Sequence, residues 1–336
     1  MRRILAALWV AAAALTAAAT PVFACGGLIG PNGAVNLLRT STLAGYHAGV
    51  EHYVTAFQFA GGGGAFGSLT PLPGVPTSVE RGGDWTLQRL VRETTPVQVF
   101  AAAVPAAATA GPAEEILKVR IDALDITVLK GGADEVGLWA KQHGFRLPPD
   151  APEVLDFYAK RSPIFLAAVF DADAAQSRGQ ALGDGTPVHI TIPTPNPWVP
   201  LRILTLGKAG TEQIDADVYL LTDSRPALLP APVNGSGLNL EYNQAASDSL
   251  LSDLRSDKGM DWVPEAAWLT KLGIDSAASD LGYDLAVDAS GQGTPSRVAA
   301  GLGPIAPVGP PPDSMLLTFV VLAVGMLLLG RLTILQ

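Results

Sequence analysis

Residues 164–170 read Ile164-Phe165-Leu166-Ala167-Ala168-Val169-Phe170, seven apolar side chains with no polar interruption. Successive side chains of a strand point to opposite faces, so a run apolar at every position is buried on both sides and belongs in the middle of a sheet. Pro163 stands directly before it and ends whatever precedes.

Working backward, Val154, Leu155, Phe157 and Tyr158 recur at helical spacing, with Asp150 placed to start that helix through a capping box with Glu153. Upstream, Val136, Trp139, Ala140 and His143 form the stripe of a partner helix that Gly144 stops. Residues 119–129 read as one strand. Leu87, Leu90 and Val91 give a short helix with Asp84 as N-cap and Arg89 and Arg92 near its end. Residues 100–111, nearly all Ala, Pro and Thr, read as a loop. Tyr53, Thr55, Phe57 and Phe59 share one face of a period-2 run; Gly61 to Gly64 then supplies a turn, and residues 66–72 return as the second strand of a hairpin.

Working forward, 171–185 is a polar connection, and Val188, Ile190 and Ile192 alternate along the next strand. A proline-broken loop, 193–200, carries Trp198. Strands are expected at 201–206 and 218–222, a loop at 226–237, and helices near 250–254 and 265–272. Strand runs with short helices inserted between hairpins argue an α+β fold built of antiparallel β-hairpins. The proline-punctuated stretches 72–76 and 192–200 follow similar strand pairs, so a weakly duplicated β unit is a further expectation.

The ends of the 336-residue chain carry its address. Arg2 and Arg3, an apolar run from Ile4 to Ala19, and Val22-Phe23-Ala24 before Cys25 compose a secretory signal peptide, 1–24. Cys25 is then the mature N-terminus and a candidate for lipidation, although the bulky Phe23 departs from the usual lipobox. Near the other end, 315–329 is apolar without a charge, and Leu332, Ile334 and Leu335 beyond Arg331 complete the ~20 residues a bilayer needs. Asp313 before this run and Arg331 within its far end place the domain outside and the tail in the cytoplasm. The expected layout is an extracytoplasmic domain at 25–300, a Pro/Gly-rich stalk at 301–313 and a transmembrane helix at 314–335.

The formal charge is −9, and setting aside Arg2, Arg3 and Arg331 leaves 19 basic residues against 31 acidic ones. So acidic a domain has no electrostatic footprint for nucleic acid. Cys25 is the sole cysteine, which excludes an intramolecular disulfide and a thiolate metal cluster.

The segments Ala24-Cys25-Gly26-Gly27, Pro71-Leu72-Pro73-Gly74-Val75-Pro76, the block from Trp139 to Phe170, and Trp198-Val199-Pro200-Leu201-Arg202-Ile203 resemble the bacterial domain-of-unknown-function family 2330. The resemblance covers most of Cys25 to Asp284 and implies an exported protein. It brings no catalytic residue with it. Members often carry a second cysteine shortly after the first, where this chain has Leu28-Ile29-Gly30.

No catalytic, cofactor or metal motif emerges. His47 and His52 are five apart, wrong for a metal pair on one element. His143 closes a helix stripe, and His189 reads as pointing to the polar side of its strand. Asp171-Ala172-Asp173 lacks the Gly and Glu a calcium loop needs, with Gln176 and Leu182 in their places. Gly61 to Gly64 lacks the Lys and Ser/Thr of a phosphate loop. Trp198 among prolines is the one candidate ligand platform. The reading is a non-enzymatic envelope protein that binds or braces another envelope or membrane component, with no cofactor; the alternative is an extracytoplasmic hydrolase of cell-wall carbohydrate or peptide working through unidentified carboxylates.

Overall fold

The computed structural model describes residues 27–30, 33–34, 40–58, 66–95, 115–122, 124–171 and 185–303. The expected leader at 1–24, Cys25, the expected turn at 61–64, the expected loop at 100–111, most of the expected 171–185 connection, most of the expected stalk at 301–313 and the expected anchor at 314–335 lie outside these residues. Among the described residues no helix is long and apolar enough to cross a membrane. The chain divides into two compact units, Met1–Leu302 and Gly303–Gln336; the first is described below.

In chain order its elements are β1 (Gly27–Gly30), β2 (Gly33–Ala34), β3 (Thr40–His47), β4 (Val50–Gln58), β5 (Phe66–Pro71), β6 (Ser78–Arg81), helix α1 (Thr86–Thr94), β7 (Glu115–Ile121), β8 (Leu124–Lys130), α2 (Ala133–Gln142), α3 (Ala151–Ala159), β9 (Ile164–Phe170), β10 (Gly185–Pro193) and β11 (Trp198–Val199). There follow β12 (Gln213–Thr222), β13 (Ala227–Leu229), β14 (Leu238–Ala245), α4 (Asp248–Ser256), β15 (Trp268–Ala277) and β16 (Leu285–Asp288). Three sheets result, ordered β2-β1-β5-β9-β8-β7, β14-β15-β12-β3-β4-β10-β6, and β11-β16-β13. Among the described residues, pairing is antiparallel except between β12 and β3. The fold is α+β.

The two large sheets pack face to face and each carries a helix pair on its outer side. Between them Leu28, Phe66, Ile126 and Leu166 of the six-stranded sheet meet Tyr53, Ile190, Val218 and Leu272 of the seven-stranded one. Trp139 of α2 and Leu155 and Tyr158 of α3 cover Leu69, Leu129 and Phe165 on the outer face of the six-stranded sheet. Leu87 and Leu90 of α1 and Leu250 and Leu254 of α4 cover Leu43, Val54, Tyr219 and Leu269 on the other. This helix–sheet–sheet–helix stack is the physical reason for the apolar run that becomes β9. Ile164, Leu166, Ala168 and Phe170 face the second sheet, while Phe165, Ala167 and Val169 face the helices.

Several expectations give way. β4 and β5 form no hairpin: β4 is flanked by β3 and β10, so β5 crosses to the other sheet and pairs with β1 and β9. Alternation reveals which face is buried but not which strand lies alongside. Residues 119–129 hold two strands, because Asp122 takes φ +55° and reverses the chain; Asp tolerates that left-handed conformation better than most residues. Residues 202–205 form a 3-10 turn rather than a strand. No helix forms at 265–272: residues 268–272 belong to β15, held between β12 and β14, where sheet packing overrides local propensity. Asp84 is not the cap of α1: it pairs with Arg81, while Trp85 takes the N-cap position and its N–H goes to Asp257. Asp150 does stand at the N-cap of α3, but its carboxylate accepts from the Gly207 N–H and makes no capping bond.

Candidate functional site

Extending the alternation of β4 back by two residues places Glu51 on the Tyr53 face, inside the sandwich, and His52 on the opposite face beneath the α1/α4 layer. The two neighbours lead into different polar clusters.

Glu51 is 1% exposed. Its Oε2 accepts the Trp198 N–H of β11 at 3.3 Å, while its Oε1 has no partner. The carboxyl borders a small cavity lined by Tyr46, Pro197, Trp198, Val199, Thr222 and Val287, among others. The centre of a water molecule has about 10 Å³ there, room for one water. Burial pushes the acid up to about 8, and the single N–H bond works weakly against that shift. At neutral pH the side chain is therefore largely a neutral acid.

On the other face His52 Nδ1 and His189 Nε2 stand 3.0 Å apart, one donating to the other. Trp262 lies flat on His52, with ring centroids 4.0 Å apart and planes 3° from parallel. Gly45 permits this stack, since a Cβ there would lie 2.1 Å from the indole. Burial, then the neighbouring His189 and His47, hold His52 down at about 4; burial also lowers His189. The pair can pass or share a proton but is neutral at physiological pH.

A third cluster closes the seam behind Trp198. Asp284, immediately before β16, is fully buried. Its Oδ1 accepts from Tyr158 OH (2.9 Å) and from the N–H groups of Leu201 (2.8 Å) and Arg202 (3.0 Å); its Oδ2 accepts from Arg161 Nη2 (2.6 Å). Tyr158 OH in turn accepts the Ile203 N–H at 2.7 Å. Burial raises the Asp284 carboxyl while Arg161 and the other donors pull the opposite way. Because each of these four groups donates, the carboxylate is the form this geometry accommodates. The Arg161 guanidinium also covers the Phe157, Tyr158 and Trp198 rings.

An open groove of about 210 Å³ runs beside this seam, bordered by Asp150, Glu153, Arg202, Thr205, Lys208 and Ser279. Its charges are engaged locally: Arg202 pairs with Glu153, and Lys208 with Glu212. Among the described residues, no group of three His, Cys, Asp or Glu converges as a metal cage.

Trp198 is 3% exposed, stacked on Tyr158 with Arg161 over its ring, so it offers no open platform; its backbone N–H is donated to Glu51. His189 is buried rather than solvated, and meets His52. His47 pairs at the surface with Asp223, and His143 Nδ1 contacts the Trp139 carbonyl at the end of α2. Cys25 lies outside the described residues. Glu51, Arg161 and Asp284 escaped sequence reasoning. The one available signal was the register of β4, which puts Glu51 on the same face as Tyr53 and Thr55.

No curated protein matches the chain. Among solved structures, baculovirus P35 aligns over 74% of this chain and 96% of its own length, at 10% identity and a TM-score of 0.36. A mutated baculovirus P35 after caspase cleavage aligns over 74% of this chain and 99% of its own length, at 9% identity and a TM-score of 0.40. Likeness at that level says nothing of what the chain does. The family described as "Uncharacterized protein conserved in bacteria (DUF2330)" matches residues 30–286, and the chain belongs to it.

Proposed function

We propose that this chain is an exported bacterial envelope protein whose domain binds or braces another envelope component. The observation that carries the reading is the order of segments: leader 1–24, domain 25–300, Pro/Gly-rich stalk 301–313 and apolar run 314–335 with Arg331 at its far end. The bilayer is then the first partner, through the C-terminal helix. The groove beside Glu153 and Arg202, which carries both signs of charge, is a polar face for a second. Crosslinking in intact cells followed by purification is expected to retain a discrete envelope partner. Reversing Glu153 and Arg202 together is expected to weaken that capture. A reporter fused after Gln336 that proved active outside the cell would defeat the topology, as would full-length protein that washed free of membranes.

One observation favours the second reading, a hydrolase of cell-wall carbohydrate or peptide. Glu51 is held neutral near pH 7, as a general acid must be. Its cavity admits about one water, so substrate would have to displace the Trp198 segment. Turnover of peptidoglycan fragments that disappears in Glu51→Gln would support this reading. No turnover, or turnover indifferent to that change, ends it.

A further inference from the structure

We propose that Glu51 is a proton-operated latch: in its neutral form it ties the start of β4 to β11 across the seam between the seven-stranded and three-stranded sheets, and on losing its proton it loosens that seam. The latch is independent of which partner the domain meets. It joins residues 147 positions apart through one contact, the Trp198 N–H donating to Oε2 at 3.3 Å. The other oxygen, Oε1, is buried without a partner at the edge of the cavity beneath β11.

The two protonation states have different needs. The neutral acid requires an acceptor for its O–H and at most a donor or two. One water in the cavity and the Trp198 N–H meet that requirement. The anion would hold the Trp198 N–H more strongly than the neutral acid does, but one donor does not replace its hydration, and a buried carboxylate without further donors or a nearby cation is strongly disfavoured. No Lys, Arg or His lines this cavity among the described residues.

The titratable groups around it cannot take up that charge. Tyr46 shares the cavity lining; burial raises it first, then Glu51 and Asp223 raise it further, and its O–H is already donated to the Thr194 carbonyl. Asp223 is an acid at the surface, paired with His47. Behind Trp198, Arg161 is committed to Asp284 and to the Ala299 carbonyl. His52 projects from the opposite face of β4. Released to solvent, the Glu51 proton leaves an anion that only entering water can stabilise. The cavity under Trp198 and Val199 is the place for that water, so hydration of the anion and separation of β11 from β4 become one event. The upward displacement of the acid by burial puts this transition in the mildly alkaline range.

The test is hydrogen exchange of the full-length, membrane-reconstituted protein at pH 6.5 and pH 9, corrected for the intrinsic pH dependence of exchange. Peptides containing Glu51 and Trp198–Val199 are expected to lose protection by about fivefold or more in the wild type. They should hold it in Glu51→Gln, which keeps the acceptor and cannot ionise. Equal loss in both proteins, or none in either, overturns the latch. A second readout avoids dependence on how the variant folds. In wild-type protein labelled with glutamate carboxyl ¹³C, one resonance is expected to titrate between pH 7 and 9, and its absence overturns the proposal equally.

Discussion

Replacing Asp284 by Asn tests how the seam between α3, the 202–205 turn and β16 is held. The exchange preserves shape and keeps one acceptor for Tyr158 OH and the N–H groups of Leu201 and Arg202. It sets an amide NH2 against Arg161 Nη2, donor against donor, where the carboxylate now accepts at 2.6 Å. The Arg161 side chain is only 8% exposed. Removing one partner of a buried pair costs about 3–5 kcal/mol, most of it from the charge left behind. For a domain this large each kcal/mol moves the melting temperature by roughly 2–4 °C, so a fall of about 6–20 °C is expected in thermal unfolding. Adding Arg161→Met should recover part of the loss, because the stranded charge goes with it. A single variant melting within about 2 °C of wild type would refute the reasoning, and so would a double variant that is simply the sum of its parts.

Gly45→Ala would drive a Cβ to 2.1 Å from the Trp262 ring, so the indole should leave His52 at a cost of about 1–3 kcal/mol, seen as a red shift in tryptophan emission with a lowered melt. His52 is held at about 4, below its ordinary 6.5, so the unfolded chain takes up the proton first. Stability from this group is then fully present above about pH 6.5 and lost as pH falls toward 4, and His52→Gln should flatten that acid limb of a stability–pH curve. An unchanged limb would show that the ring is not buried as described. Asp257→Ala removes the acceptor for the Trp85 N–H and the Thr86 hydroxyl, and should cost about 1–2 kcal/mol in chemical denaturation. Asp84→Ala, at the cap position expected from sequence, should cost less, since its carboxylate serves Arg81 and not the helix.

These sites differ in how far they could be read in advance. Helices α2, α3 and α4 announce themselves because an apolar stripe at 3.6-residue spacing needs nothing beyond local sequence. β9 and β10 are equally legible, the first from its unbroken apolar run and the second from Val188, Ile190 and Ile192. β15 is not legible locally, because Glu265 to Leu272 has helix-compatible composition while two flanking strands decide its conformation. Glu51 and His52 look like ordinary polar strand residues. Only the stacking of a second sheet on one face and of helices on the other buries both. The partners that give them meaning lie 147 and 137 residues away.

Sequence alone determined the α+β class, the acidic balance and the absence of an intramolecular disulfide, because each depends on local composition or on a count. Tertiary structure alone decided which strands pair, where a carboxyl loses its water, and which histidines meet. Those outcomes depend on the dielectric and the neighbours at each atom, and both are set by the packing of segments far apart in the chain.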